Sequence, residues 1–212
     1  MIMTATRQTV RQAKGDATRQ QILDAAERIF AEIGFAAARL DHVAESVGIR
    51  RPSILYYFPG KQQLYDEVEA DIFASMHAFV LNRTEDVTEP MERLLALLDA
   101  WLDFLVSRPT AARIIQRLIA DSAAYGNNPV RFSESALQDL EDVVAAGVAS
   151  GQFHPVSAMV LLNSVAGSAL HYVCNAHQLG PSRSYDPADP AQLAQFRSMM
   201  HRLARVAVAP QD

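Results

Sequence analysis

The sequence predicts an all-α fold in two parts: a small N-terminal head of three helices and a longer C-terminal body of antiparallel helices. Three observations carry this. Alanine and leucine are plentiful and glycine is scarce, with nine in 212 residues, a composition that favours helix. Apolar residues recur three or four apart through most of the chain, and no run alternates long enough to make a strand. Several prolines fall where such apolar runs begin, the position at which a missing N–H costs a helix nothing. Half of the residues are apolar and a fifth are charged, as in an ordinary globular protein, and the length is ample for a buried core.

Residues 1–15, with Arg7, Arg11 and Lys14 but no apolar core, read as a flexible basic arm and not as a signal peptide. The head is expected over 16–61 and the body over 62–212. Thr18 and Gln21 have the spacing of a capping box. Ile22, Ala26, Ile29 and Ile33, with Leu23 and Phe30 beside them, keep a helical period as far as Gly34. Leu40, Val43, Ala44 and Val47 give a second helix over 40–47, which Gly48 stops. A third helix covers 51–57 before Pro59-Gly60 breaks the chain. A long helix then runs from Lys61 toward Asn82, with Leu64, Val68, Ile72 and Met76 on one face. In the body, helices are expected over 89–107, after Pro109, after Pro129 as far as Gly151, after Pro155 and after Pro190.

The stretch from Gly48 to Lys61 is the most informative. Two short helices joined by a glycine turn, with cations and hydroxyls on the second, are the parts of a helix-turn-helix, which lays its second helix in the major groove of DNA. Arg50 and Arg51 open that helix, and arginine's fork fits both guanine O6/N7 and phosphate oxygens. Ser53 and Tyr57 share helical spacing and Tyr56 lies on the neighbouring arc, all with hydroxyls for phosphates or bases. Ile54 and Phe58 belong to the head's core, and one of the two tyrosines has room to pack beside Phe58. Outside such a motif, two arginines before a proline would be plain solvated surface. The charge balance agrees. Residues 1–61 hold nine Lys/Arg against six Asp/Glu, and residues 62–212 hold ten against eighteen. A basic front and an acidic back suit a protein that meets a polyanion with its N-terminal end.

Thr18-Arg19-Gln20-Gln21-Ile22-Leu23-Asp24-Ala25-Ala26, Phe30-Ala31-Glu32-Ile33-Gly34-Phe35, Val43-Ala44-Glu45-Ser46-Val47-Gly48-Ile49, Tyr56-Tyr57-Phe58 and Lys61 with Leu64 together resemble the TetR family of transcriptional regulators. The resemblance spans about a quarter of the chain. It implies a double-stranded DNA operator as partner, contacted by Arg39, Arg50, Arg51, Ser53, Tyr56, Tyr57 and Lys61, with Lys61 gripping a phosphate. Two positions depart from the family pattern. Arg39 stands where Thr or Ser usually caps the second helix, so the cap is lost. Leu55 stands where Tyr is frequent, which removes one backbone contact.

The resemblance also implies a C-terminal domain that binds an effector and dimerises. In the family the last two long helices of each subunit form a four-helix bundle across a two-fold axis. Dimerisation sets two recognition helices about one DNA turn apart, roughly 34 Å. Candidate lining residues for an effector are Phe73, Met76, His77, Trp101, Phe104 and Leu105, with Arg113, Gln116, Tyr125, Asn163 and His171. Each is equally at home in plain core packing. The acidic body favours cationic or neutral effectors. The function implied is a repressor whose operator binding a small molecule relieves. The alternative is a ligand-independent or activating DNA-binding protein of the same fold.

Val143 to Ser182 contains no Asp, Glu, Lys or Arg. Its apolar part, Val156 to Val173, approaches the minimum length of a membrane span. Pro155, Asn163, Ser164 and Asn175 and the lack of a basic flank argue against one. Small residues here suit a helix buried at a dimer interface. His171, Cys174 and His177 recur every three residues and fan over too wide an arc for a tetrahedral metal site; a buried structural thiol with two satisfied histidines fits better. No phosphate loop or nucleophile motif appears, so neither enzymatic chemistry nor a cofactor or metal is expected. Cys174 is the single cysteine, which fits a reducing cytoplasm.

Overall fold

The structure, a computed structural model, describes residues 3–121, 131–178 and 180–210. Its elements are helices α1 (Met3–Ala37), α2 (Leu40–Val47), α3 (Arg51–Tyr57), α4 (Lys61–Thr84), α5 (Pro90–Ser107), α6 (Pro109–Asp121) and α7 (Arg131–Ala149). Then come α8 (Ala158–Leu161), a π-helical turn (Leu162–Ala166), α9 (Gly167–Cys174), a 3-10 turn (Pro181–Arg183) and α10 (Pro190–Val208). There is no strand among the described residues. The chain divides into Met1–Ile72 and Phe73–Asp212, a division that falls within α4.

In the head, α1 begins earlier than the sequence suggests. The stretch expected as a flexible basic arm is helical from Met3. Thr18 does not cap a helix; its hydroxyl donates to the Lys14 carbonyl, 2.9 Å away and one turn back. A mid-helix threonine has that bond available, and no proline lies upstream to break the turn. The helix loses its regular geometry at Gly34 (φ 78, ψ 166). Ile22, Ala25, Ala26 and Phe30 of α1 are buried, as are Val43 and Ala44 of α2, Ile54 and Phe58 around α3, and Leu64 and Val68 of α4. Arg19 lies over the Phe58 ring, 5.0 Å from its centroid, and pairs with Glu67. α2 ends at Gly48, whose φ of 73 is a left-handed conformation that favours glycine. Ile49 N–H then bonds back to the Ala44 carbonyl at 3.0 Å. That bond fixes the tight turn from which α3 departs.

In the body, two helices start on acidic caps followed by proline. Glu89 accepts from the Glu92 N–H at 2.7 Å, and Asp189 accepts from the Gln192 N–H at 3.0 Å. The core is Leu94, Leu98, Leu102 and Leu105 of α5 with Ile114 and Ile115 of α6, Leu140 and Val143 of α7, Leu161, Val165 and Ala169 around the π turn, and Met200 and Ala204 of α10. Asp99 and Asp103 of α5 bind Arg197 of α10 at 2.7 and 2.5 Å, and Asp99 also meets His201 at 2.7 Å. The apolar stretch expected as one helix after Pro155 is interrupted by the π turn, where Gly167 N–H reaches back to the Leu162 carbonyl. Among the described residues no helix is long and apolar enough to cross a membrane.

Two predictions come from the packing. Gly147 of α7 lies against the buried Phe153 ring, and any Cβ there would overlap it. Gly147→Ala is expected to destabilise the body by about 1–3 kcal/mol, read as a lower urea midpoint at unchanged slope. In the head, burial pushes the Glu69 carboxyl of α4 up to about 7, against a hydrogen bond from Tyr65 that lowers it and with Asp66 raising it. The folded state then holds a proton that the unfolded chain has released. Glu69 therefore contributes stability below the ordinary glutamate range and loses it as pH rises to about 7. The thermal midpoint of the wild type should fall between about pH 5 and pH 8 more steeply than that of Glu69→Gln.

Candidate functional site

The exposed face of α3 is set by what its other face buries. Ile54 and Phe58 are fully buried and anchor the helix to the head. Helical geometry then turns Arg51, Pro52, Ser53, Leu55 and Tyr56 outward, and all five are exposed, as is Arg50. Arg50 occupies the N-cap position without a side-chain cap bond, and so does Arg39 before α2. Arg51 pairs loosely with Asp41 of α2 at 3.5 Å; an exposed pair of this kind is worth little and yields readily to a phosphate or base. Tyr56 is 83% exposed. Tyr57 is half-buried and meets Tyr56 edge-on at 5.1 Å. Tyr57 is thus the tyrosine that packs inward, and Tyr56 is the one presented to solvent.

Lys61 departs from expectation. Its ammonium donates to the carbonyls of Phe35 (2.8 Å), Ala38 (3.1 Å) and Ala36 (3.4 Å). The Phe35 ring lies below it, 4.3 Å to the centroid. An ammonium has three N–H donors, and here all three are spent on the open end of α1. A lysine at a helix C-terminus is favoured by the dipole and by orphan carbonyls. These bonds give Lys61 a capping role in the head, with which the expected phosphate grip would compete.

The body contains a cavity of about 60 Å³. Met76, His77 and Val80 of α4, Leu97, Leu98 and Trp101 of α5, Ala136, Asp139 and Leu140 of α7, and Leu162 and Ala166 of the π turn line it. The Trp101 indole N–H donates to the Ala166 carbonyl at 2.8 Å, so the π turn and the tryptophan brace one wall. Burial raises the pKa of Asp139, while His77 and Arg93 act against that rise. The Arg93 Nε is buried without a hydrogen-bond partner.

Of the effector candidates, Met76, His77 and Trp101 reach this cavity. The others do not. Phe104 is buried against Phe79, 5.7 Å between ring centroids, and Leu105 is core. Phe73 and Gln116 are half-buried away from it, and Arg113 is exposed. Asn163 is exposed and turns its amide back to the Met159 carbonyl at 2.8 Å. His171 is exposed and bonded to Asn175 at 3.0 Å. Tyr125 lies outside the described residues. Asp139 escapes a reading of the sequence because an acid on an amphipathic helix looks like solvated surface. The signal was its place in the stripe Ala136, Leu140, Val143. Cys174 is half-buried, and burial pushes its thiol up to about 11. The flanking His171 and His177 are exposed, not enclosed with it. Among the described residues no group of three or more His, Cys, Asp or Glu could hold a metal ion.

The comparisons with known proteins follow this division. Residues 22–68 match the family model "Bacterial regulatory proteins, tetR family", and residues 90–203 match "Tetracyclin repressor-like, C-terminal domain". The HTH-type transcriptional repressor NicS of Pseudomonas putida is 28% identical over 206 residues, 94% of this chain and 96% of its own. The HTH-type transcriptional regulator RutR of Escherichia coli K12 is 29% identical over 77% of each chain. Among solved structures, a TetR family transcription regulator from Marinobacter aquaeolei VT8 superposes with a TM-score of 0.74 at 21% identity, over 95% of this chain and all of its own (100%). The ketosteroid transcriptional regulator KstR2 of Mycobacterium tuberculosis gives 0.70 at 20% identity, over 91% and 95%. With a helix-turn-helix head, a helical body and matches to both family models, the chain belongs to the TetR family of DNA-binding transcriptional regulators.

Proposed function

We propose that this chain is a repressor that binds a partly palindromic double-stranded operator as a homodimer and releases it when a small molecule enters the cavity of the body. The observation that carries the DNA half is the outward set of Arg50, Arg51, Ser53 and Tyr56 on a helix locked by Ile54 and Phe58. Arg39 is exposed beside it. Repression is supported by NicS, a named repressor similar over almost the whole chain. The homodimer is supported by exposed apolar residues on the helices expected to pair: Met199, Leu203 and Val206 of α10 with Met159 and Val160 of α8. No enzymatic step is invoked, and the site of action is the cytoplasm, with the DNA.

The effector half rests on α4. This helix supplies Leu64 and Val68 to the core of the head and Met76, His77 and Val80 to the cavity. A ligand that prefers a placement of α4 unsuited to DNA weakens operator binding, and DNA must weaken ligand binding by the same factor.

Fluorescence anisotropy on DNA from the chain's own upstream region, against scrambled DNA across a salt series, tests the reading. Specific binding should lie at about 10⁻⁸–10⁻¹¹ M and weaken steeply with salt. Arg50→Ala and Tyr56→Ala should each cost about 1–3 kcal/mol of operator affinity, and equal affinity for both DNAs would remove the operator from the proposal. Lys61→Met separates the two roles open to that residue. As a cap of α1 it should lower head stability by about 1–3 kcal/mol and leave the salt slope unchanged, whereas loss of a phosphate contact would reduce the slope by about 1.

A further inference from the structure

The cavity of the body is apolar on nearly every side, and its few polar features are specific. Met76, Val80, Leu97, Leu98, Leu140 and Leu162 supply hydrocarbon. Trp101 contributes its ring; its N–H is directed to the Ala166 carbonyl. Asp139 lines the cavity from α7 and His77 from α4, its ionisable side chains among the described residues. Among the described residues no hydrogen bond reaches the Asp139 carboxylate. Arg93 acts on Asp139 but does not line the cavity. A half-desolvated carboxylate and an indole ring lining one cavity can recognise a cation, because the ring's negative face and the acid attract the same charge. The excess of acidic residues over 62–212, eighteen Asp/Glu against ten Lys/Arg, favours the approach of the same charge.

We propose that the cavity takes a compact apolar amine, its ammonium held between Asp139 and the Trp101 ring and its hydrocarbon among Leu97, Leu98 and Leu140. This rests on the reading of the body as an effector domain, and it names the chemical class of effector. A volume of about 60 Å³ suits a short alkyl group and neither an aromatic ring, which needs about 150 Å³, nor a long acyl chain. A carboxylate ligand would be repelled by Asp139. A neutral alcohol would keep the hydrocarbon contacts and one hydrogen bond but lose the charge.

The test is calorimetric titration of the full-length protein with a size series of short primary alkyl amines, propylamine and isobutylamine among them, each paired with its isosteric alcohol and carboxylate. The best amine should bind about tenfold or more tightly than its alcohol, and the carboxylate should bind more weakly than either. Asp139→Asn should erase the amine's advantage while keeping alcohol binding, the far-ultraviolet circular dichroism and operator affinity. Ala136→Phe should fill the cavity and remove both ligands. If no amine in the series binds better than its alcohol, or if Asp139→Asn leaves the preference intact, the proposal is overturned. Operator anisotropy in the presence of the best amine separates the two readings: binding without DNA release would sink the effector reading and leave the ligand class standing.

Discussion

The head is organised around the end of α1. A helix leaves its last four carbonyls without partners, and here the chain cannot satisfy them by a regular cap because the backbone turns away at Gly34. The Lys61 ammonium supplies what is missing, reaching Phe35, Ala36 and Ala38 from the first residue of α4. One side chain thereby ties the close of the first helix to the opening of the fourth, and the helix-turn-helix is held in the loop between them. Tyr65, one turn further along α4, packs on Phe30 and Phe35 at 5.0 and 4.9 Å and reinforces the same junction. α3 has seven residues and a single fully buried one, Ile54, so this joint and the Ile54 and Phe58 anchors together set the direction in which its arginines face.

In the body, α5 plays the corresponding part with two faces. One face gives Leu97, Leu98 and Trp101 to the cavity. The other gives Asp99 and Asp103 to Arg197 and His201 of α10, the helix with the exposed apolar residues Met199, Leu203 and Val206. These ion pairs are partly solvated, so their net energy is small; their value is geometric, a guanidinium bridging Asp99 and Asp103 and fixing the rotation of α10.

Much of this was legible in the sequence where punctuation is chemical. α2 and α3 fall at Leu40–Val47 and Arg51–Tyr57 because Gly48 admits the left-handed turn and Pro59-Gly60 breaks the chain. Pro90, Pro109 and Pro190 open their helices as expected. What was hidden depends on tertiary partners. Thr18 has the form of a cap, but its hydroxyl had a carbonyl available one turn back. Nothing in the hydropathy of 156–173 marks a π turn, whose Ala166 carbonyl takes the Trp101 indole N–H. Lys61 carries the charge for a phosphate, and only the folded backbone shows three carbonyls waiting nearer. Trp101 could be picked out as an aromatic group on the apolar face of α5, and His77, although exposed, still reaches the cavity, whereas Phe104, equally aromatic, went to Phe79, a choice that spacing alone does not make.

The π turn at Leu162–Ala166 carries a consequence for how such a chain can change in length. A π turn is an α-helix with one residue too many. The surplus residue is absorbed locally, so Leu161 before it and Ala169 and Val173 after it still face the core. Removal of one residue anywhere else between Ala158 and Cys174 would rotate all that follows by about 100° and expose that core. Removal of one within the turn would leave a plain helix with its faces in register and draw the Ala166 carbonyl back from the indole. The segment is thus the one place in this helix where a single-codon deletion or reinsertion can reshape the cavity wall while leaving the buried face in phase.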